Sequence, residues 1–281
     1  MPAKRGIMGD MSIRRRLCGV VAAAAFAALV GCGGGHSDRP PSHQLGPAQV
    51  AVPRQPRPLA QRLSTVDARL RRAIHGWASP ALPHGRPTPG VSARAIWVER
   101  ALRLLARRQG LERETIHRLP FRLQREVRAV TGALRDLDRL SAGWPAHRVR
   151  IGAPDPLDRL VRYYRDAQDR FGVRWRILAA INLVESAFGR VRSSSVAGAQ
   201  GPMQFIPSTW RAYGLGGDID DPHDAILAAA NLLAHGGAPS DYTRALYAYN
   251  PSPAYVDAVL RYARLIARDQ AALYYLYSWR P

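Results

Sequence analysis

The 281 residues are enough for one or two domains with a real core, and a hydrophobic share of 47% is ordinary for a globular protein. Forty-one basic residues against 21 acidic give a formal charge of +20; Lys4 is the single lysine, so the excess is arginine. Such a charge favours polyanionic partners such as nucleic acid, anionic lipid or acidic wall polymers, without choosing among them, and its plainest account is a solvated arginine-rich face.

In chain order, Arg14-Arg-Arg16 precedes an apolar run from Leu17 to Val30. A basic segment before an apolar stretch of this length reads as a secretory signal over residues 1–31, too short for a permanent span. The run ends Leu29-Val-Gly-Cys32, which resembles a bacterial lipobox, so cleavage before Cys32 and acylation of its thiol are expected. An ordinary signal peptide with an incidental cysteine is the alternative. Cys18 would leave with the signal, and the mature chain would hold one cysteine and no internal disulfide. Export makes nucleic acid an unexpected partner. Residues 32–58, with Gly33-Gly-Gly35, Pro40-Pro41, Pro53, Pro56 and Pro58, read as a disordered tether reaching roughly 90 Å at most. The localisation implied is an exported chain, lipid-anchored to the cell envelope.

Residues 59–150 are expected to form a helical hairpin or small bundle. Val91, Ala95, Val98, Leu102 and Leu105 keep a 4-3-4-3 spacing, and so do Leu123, Val127, Val130, Leu134 and Leu137. Gly85 to Gly90 and Leu119-Pro120 interrupt the pattern. Ala153-Pro-Asp-Pro156 marks a boundary, after which residues 154–281 form a second, nearly all-helical unit. Its helices are predicted over 157–171, 175–188 (ending at Gly189), from Pro207, from Asp221-Pro-His-Asp224 to Gly236-Gly237, over 242–249 and over 254–267. Leu273-Tyr-Tyr-Leu-Tyr-Ser-Trp279 is an aromatic tail expected to pack on the domain. The fold class is therefore all-α.

Glu185 is the one glutamate beyond Glu126. It shares a helical stripe with Leu178 and Ile181, the side a helix normally keeps apolar. Two readings follow: a partner for a buried arginine, or a carboxylic acid whose proton is retained by burial and can be donated to a leaving oxygen, as in glycosidic bond cleavage. The eight histidines show no pairing at ligand spacing, and Asp218-x-Asp220 fails as a calcium loop because the required Gly and Glu are His223 and Ala229. No metal or cofactor is expected.

Three blocks occur in order: Ile181-Asn-Leu-Val-Glu-Ser186, the long run Ser195-Val-Ala-Gly-Ala-Gln-Gly-Pro-Met-Gln-Phe-Ile-Pro-Ser-Thr-Trp210, and Ala248-Tyr-Asn250. Together they resemble the lytic transglycosylase family, in its SLT-like domain, over roughly residues 157–266. The resemblance implies a lysozyme-like helical catalytic domain acting on peptidoglycan glycan strands. It implies Glu185 as general acid and then base, and Ser186 as a residue holding the site. Ser195 would contact substrate, Met203, Gln204 and Phe205 would line the groove, Tyr249 would hydrogen-bond near Glu185, and Asn250 would orient an acetamido group. Met203, Phe205 and Tyr249 as core, and Asn250 as a turn residue before Pro251, remain the plain alternatives. No second carboxylate is implied, because the substrate's own N-acetyl group would attack and a 1,6-anhydro product would form. A goose-type lysozyme and a non-catalytic wall-binding protein are the competing readings, and a monomer is expected.

Overall fold

The computed structural model describes residues 50–78, 85–142 and 149–279. The expected signal peptide, Cys32 and the tether as far as residue 49 lie outside the described residues. Among the described residues there are helices and two isolated β-bridges, with no strand.

Four helices come first: α1 (Pro56–Trp77), α2 (Pro89–Arg107), α3 (Gln109–Ile116) and α4 (Phe121–Ser141). Pro56 occupies the first turn of α1, where its missing N–H costs nothing, so the last residues of the expected tether are helix. Thr88 caps α2 by accepting from the Val91 N–H at 3.3 Å, with Pro89 next in line. The two apolar stripes predicted on α2 and α4 are buried along their whole length. The short α3 lies between the two stripes, just before the Leu119-Pro120 interruption.

Seven helices follow: α5 (Leu157–Phe171), α6 (Trp175–Ser186), α7 (Pro207–Tyr213), α8 (Pro222–Gly236), α9 (Tyr242–Tyr249), α10 (Pro253–Arg268) and α11 (Gln270–Tyr277). The α8 start is the predicted one: Asp221 Oδ1 accepts from the N–H groups of His223 and Asp224 at 2.8 and 3.0 Å. Helix α6 is buried almost all round, Arg176 excepted, which marks it as the central helix. It packs on α5, α8 and α10.

Helix α10 carries inward-facing Tyr255, Val259, Tyr262 and Ile266, and it lies between α6 and α4. The aromatic tail is α11, which packs on α1 and α2; Trp77 meets Tyr274 edge-on at 5.0 Å. One contiguous apolar core thus runs from Leu59 on α1 to Trp279 after α11. Beneath it, Arg71 bridges Asp67, Glu126 and Asp269, drawing α1, α4 and the α10–α11 junction together.

Candidate active site

The end of α6 departs from expectation. The helix stops at Ser186, not at Gly189, because Ala187, Phe188 and Gly189 take left-handed φ values of 51°, 64° and 78° in succession. Two non-glycine residues in that region are costly, about 1–2 kcal/mol each, and persist where the surroundings over-determine them. Here the surroundings are visible. The Ser186 hydroxyl accepts from the Gly189 N–H at 2.8 Å and donates to the Pro202 carbonyl at 2.5 Å. Asn182 Nδ2 donates to the same carbonyl at 2.8 Å, while Asn182 Oδ1 accepts from the Tyr164 hydroxyl at 2.7 Å. Helices α5 and α6 and the loop at Pro202 are thereby tied at one buried point, directly after Glu185.

The loop from Ser195 to Phe205 is a shaped structure. Ser195 Oγ accepts from the Ala199 N–H at 3.0 Å, closing the first turn. Gln200 and Phe205 exchange both backbone hydrogen bonds at 2.9 Å, and between them Gly201 and Gln204 have φ of 73° and 50°. Glycine is required at 201 twice over: the φ is left-handed, and a Cβ would stand 1.9 Å from the Ile219 carbonyl oxygen. The Gln204 amide returns to the Gly201 carbonyl at 2.9 Å.

The expected site residues are gathered around this loop, and all are buried. Tyr249 donates its hydroxyl to the Met203 carbonyl at 2.6 Å and so pins the loop, rather than bonding the acid itself. Met203 and Phe205 do not present side chains to solvent; at 0% and 1% exposure they belong to the core. This is the packing role left open for both, and Gln204 between them is buried as well, at 3%. Phe205 lies between the rings of Trp210, at 5.4 Å, and Tyr249, at 5.9 Å. Asn250, just after α9, and Ser195 are buried too.

Glu185 is fully buried, and neither carboxyl oxygen has a hydrogen-bond partner among the described residues. Burial pushes its pKa from 4.5 up to about 8, with the Tyr255 hydroxyl pulling weakly the other way. That hydroxyl neighbours the carboxyl without closing a well-formed hydrogen bond, so it too is unsatisfied. Tyr255 is the residue the sequence reading missed. It stacks parallel to Tyr249, 6.2 Å between ring centroids, and both feel the Glu185 charge. Its one sequence signal is the Ser252-Pro253 helix start, which places it in the first turn of α10.

The acids of the 218–224 segment serve local structure: Asp221 caps α8, Asp218 accepts from the Asp220 N–H, and Asp224 accepts from the Asp218 N–H. Among the described residues no cluster of three His, Cys, Asp or Glu could hold a metal ion. The arrangement offers one protonated acid in apolar surroundings, below a loop shaped by left-handed residues at 201 and 204.

Residues 162–270 match the family described as Transglycosylase SLT domain. The matched segment is a little under two-fifths of the chain, is similar to that domain throughout, and contains Glu185, the Ser195–Phe205 loop, Tyr249 and Tyr255. Neither a curated protein nor a solved structure matches the chain.

Proposed function

We propose that this SLT domain cleaves the β-1,4 bond between N-acetylmuramic acid and N-acetylglucosamine in peptidoglycan, leaving 1,6-anhydromuramic ends. The observation that carries the reading is Glu185: a buried, unpaired carboxyl whose pKa of about 8 keeps it protonated at neutrality, within a segment matching the SLT family. A carboxylic acid in that state can give its proton to the leaving glycosidic oxygen. The substrate's N-acetyl oxygen attacks the anomeric carbon as that bond breaks. The resulting carboxylate then takes the proton of the muramic C6 hydroxyl, whose oxygen bonds to the anomeric carbon as the acetamido oxygen leaves it, closing the anhydro ring and restoring the N-acetyl group. Both reacting groups belong to one sugar, so the second step is intramolecular and needs neither water nor a second carboxylate.

Within this proposal Ser195, Gln204 and Asn250 contact the glycan. Ser186 and Tyr249 fix the loop through the Pro202 and Met203 carbonyls. Met203 and Phe205 form its floor. The acid lies below the surface, so the glycan engages it by displacing what covers it.

The test is digestion of purified murein followed by mass spectrometry. The intact chain is expected to release anhydro ends, lighter by one water than hydrolysed ends, and Glu185→Gln to release none while keeping its helical circular dichroism. Reducing ends would instead support a goose-type hydrolase, and full activity of Glu185→Gln would exclude the assignment. The same proposal includes export, acylation at Cys32 and a monomer tethered to the envelope; loss of palmitate labelling in Cys32→Ala would support the anchor, and its retention would reject it.

A further inference from the structure

Where α4 crosses α10 there is a cavity of about 430 Å³ whose charged lining is dominated by arginine: Arg122 and Arg125 from α4, and Arg261, Arg264 and Arg268 from α10. Its two acids are already engaged. Glu126 pairs with Arg71 and Arg122, and Asp269 pairs with Arg71 and accepts from the Ala271 N–H. Arg261 is held by Asp136 at 2.9 Å. That leaves Arg125, Arg264 and Arg268 with no carboxylate among the described residues, Arg125 resting over the Phe121 ring at 4.9 Å.

A second cavity, of about 580 Å³, adjoins on the far side of α10 and shares Arg264. It adds Arg174 and Arg176, and its acid, Asp241, is occupied in capping α9. Each of these two arginines lies over an aromatic ring, Tyr242 and Trp175, and Arg176 Nε is buried without a partner. Arg261, Arg264 and Arg268 follow one another at helical spacing along the first hollow, and Arg264 also lines the second, so the two basic hollows flank α10 and meet at Arg264.

Guanidinium forks crowded this closely repel one another unless an anion lies between them, and their planar donors match phosphate oxygens in pairs. A single phosphate would occupy one hollow. Two hollows that meet at Arg264 suit a chain of phosphates crossing α10 there, and their concavity suits a strand better than the flat face of a bilayer. We propose that this pair of hollows is a second binding site, separate from the Glu185 loop, for a linear phosphodiester polymer of the kind that acidic cell-wall chains present. The first hollow exists only because α4 docks on α10. The helices before the SLT segment therefore acquire a role: they complete a surface holding the enzyme on the wall beside its substrate.

The test uses the full chain and fluorescently labelled poly(glycerol phosphate), read by anisotropy at about 50 and 200 mM salt. Binding is expected to weaken by one to two orders of magnitude between the two salts, as several counterions are released. Arg264→Ala/Arg268→Ala is expected to lose at least tenfold in affinity at low salt. Both side chains are exposed, so its circular dichroism and its cleavage of polymer-free murein should be unchanged. A control with the same charge removed from the exposed face of α1, Arg62→Ala/Arg69→Ala, should bind nearly as the parent does. Equal losses in the two double variants would overturn the proposal in favour of net charge alone. So would absence of binding at low salt, or tighter binding to phosphatidylglycerol vesicles than to the polymer. Because binding is read directly, inactivity on murein would leave this result standing on its own.

Discussion

Replacing Glu185 by glutamine should stabilise the fold, and by an amount that grows with pH. The folded protein holds the Glu185 proton up to about pH 8, whereas an unfolded chain releases it near 4.5. Stability linked to this group is therefore complete below 4.5, is lost progressively between 4.5 and 8, and is flat above. Each unit in that window is worth about 1.4 kcal/mol, so at pH 7 the buried acid costs on the order of 3 kcal/mol, and above pH 8 on the order of 5 kcal/mol. Glutamine is nearly isosteric and does not titrate. The comparison also cancels every other carboxyl, including Glu126, which burial likewise raises, because both proteins carry it. Urea unfolding of the parent and of Glu185→Gln at pH 4, 5.5, 7 and 8.5 should give curves that nearly meet at the acid end and separate steadily above it. For a chain of this size the separation at pH 7 corresponds to roughly 6–12 °C in melting temperature. A difference that stays constant across pH, or a Glu185 carboxyl titrating near 4.5 by NMR, would refute the claim that burial keeps this acid protonated.

Tyr255→Phe removes the polar group that favours the Glu185 carboxylate, so the alkaline limb of the pH–activity profile should move upward; an unmoved limb would detach Tyr255 from the acid. Gly198 and Gly201 share a left-handed φ, 80° and 73°, but only at 201 would a Cβ strike backbone, the Ile219 carbonyl. Gly198→Ala should thus cost about 1–2 kcal/mol of stability by urea unfolding, and Gly201→Ala markedly more. Equal costs would show that strain, not the close approach, decides.

The features legible beforehand were those a few neighbouring residues determine. Asp221, Pro222 and Asp224 announce the start of α8 by themselves, and the stripes of α2 and α4 follow from spacing alone. The oddity of a glutamate on an apolar stripe was visible too, and it is the group found without a partner. Tertiary facts were not legible. Tyr255 neighbours Glu185 only after α10 folds back across α6, and Arg71 reaches Asp269 across 198 positions of sequence. The end of α6 was misplaced because glycine is the usual left-handed residue, whereas here Ala187 and Phe188 are forced there first by the Ser186–Pro202 lock. A motif names residues without saying which way they turn, which is why Met203 and Phe205 were expected in the groove and lie in the core.

Helix α10 connects the two halves of the molecule. Near its start it supplies Tyr255 to the acid; further along it supplies Arg261 to Asp136 of α4, a carboxylate only 2% exposed. Gly132 of α4 makes that contact feasible, since a Cβ there would stand 3.1 Å from the Arg261 guanidinium. A glycine inside a helix costs about 1 kcal/mol relative to alanine, and the space it leaves is filled by an ion pair between the segment before the SLT match and the segment within it. Helix α10, which supplies Tyr255 to the acid, is thus braced from outside the SLT match. Burial depends on how firmly α10 lies against α6, and α10 is held from its other side by α4. Loosening that contact is expected to admit water to the acid and lower its pKa. The state of the acid is in this sense set partly by helices that never touch it.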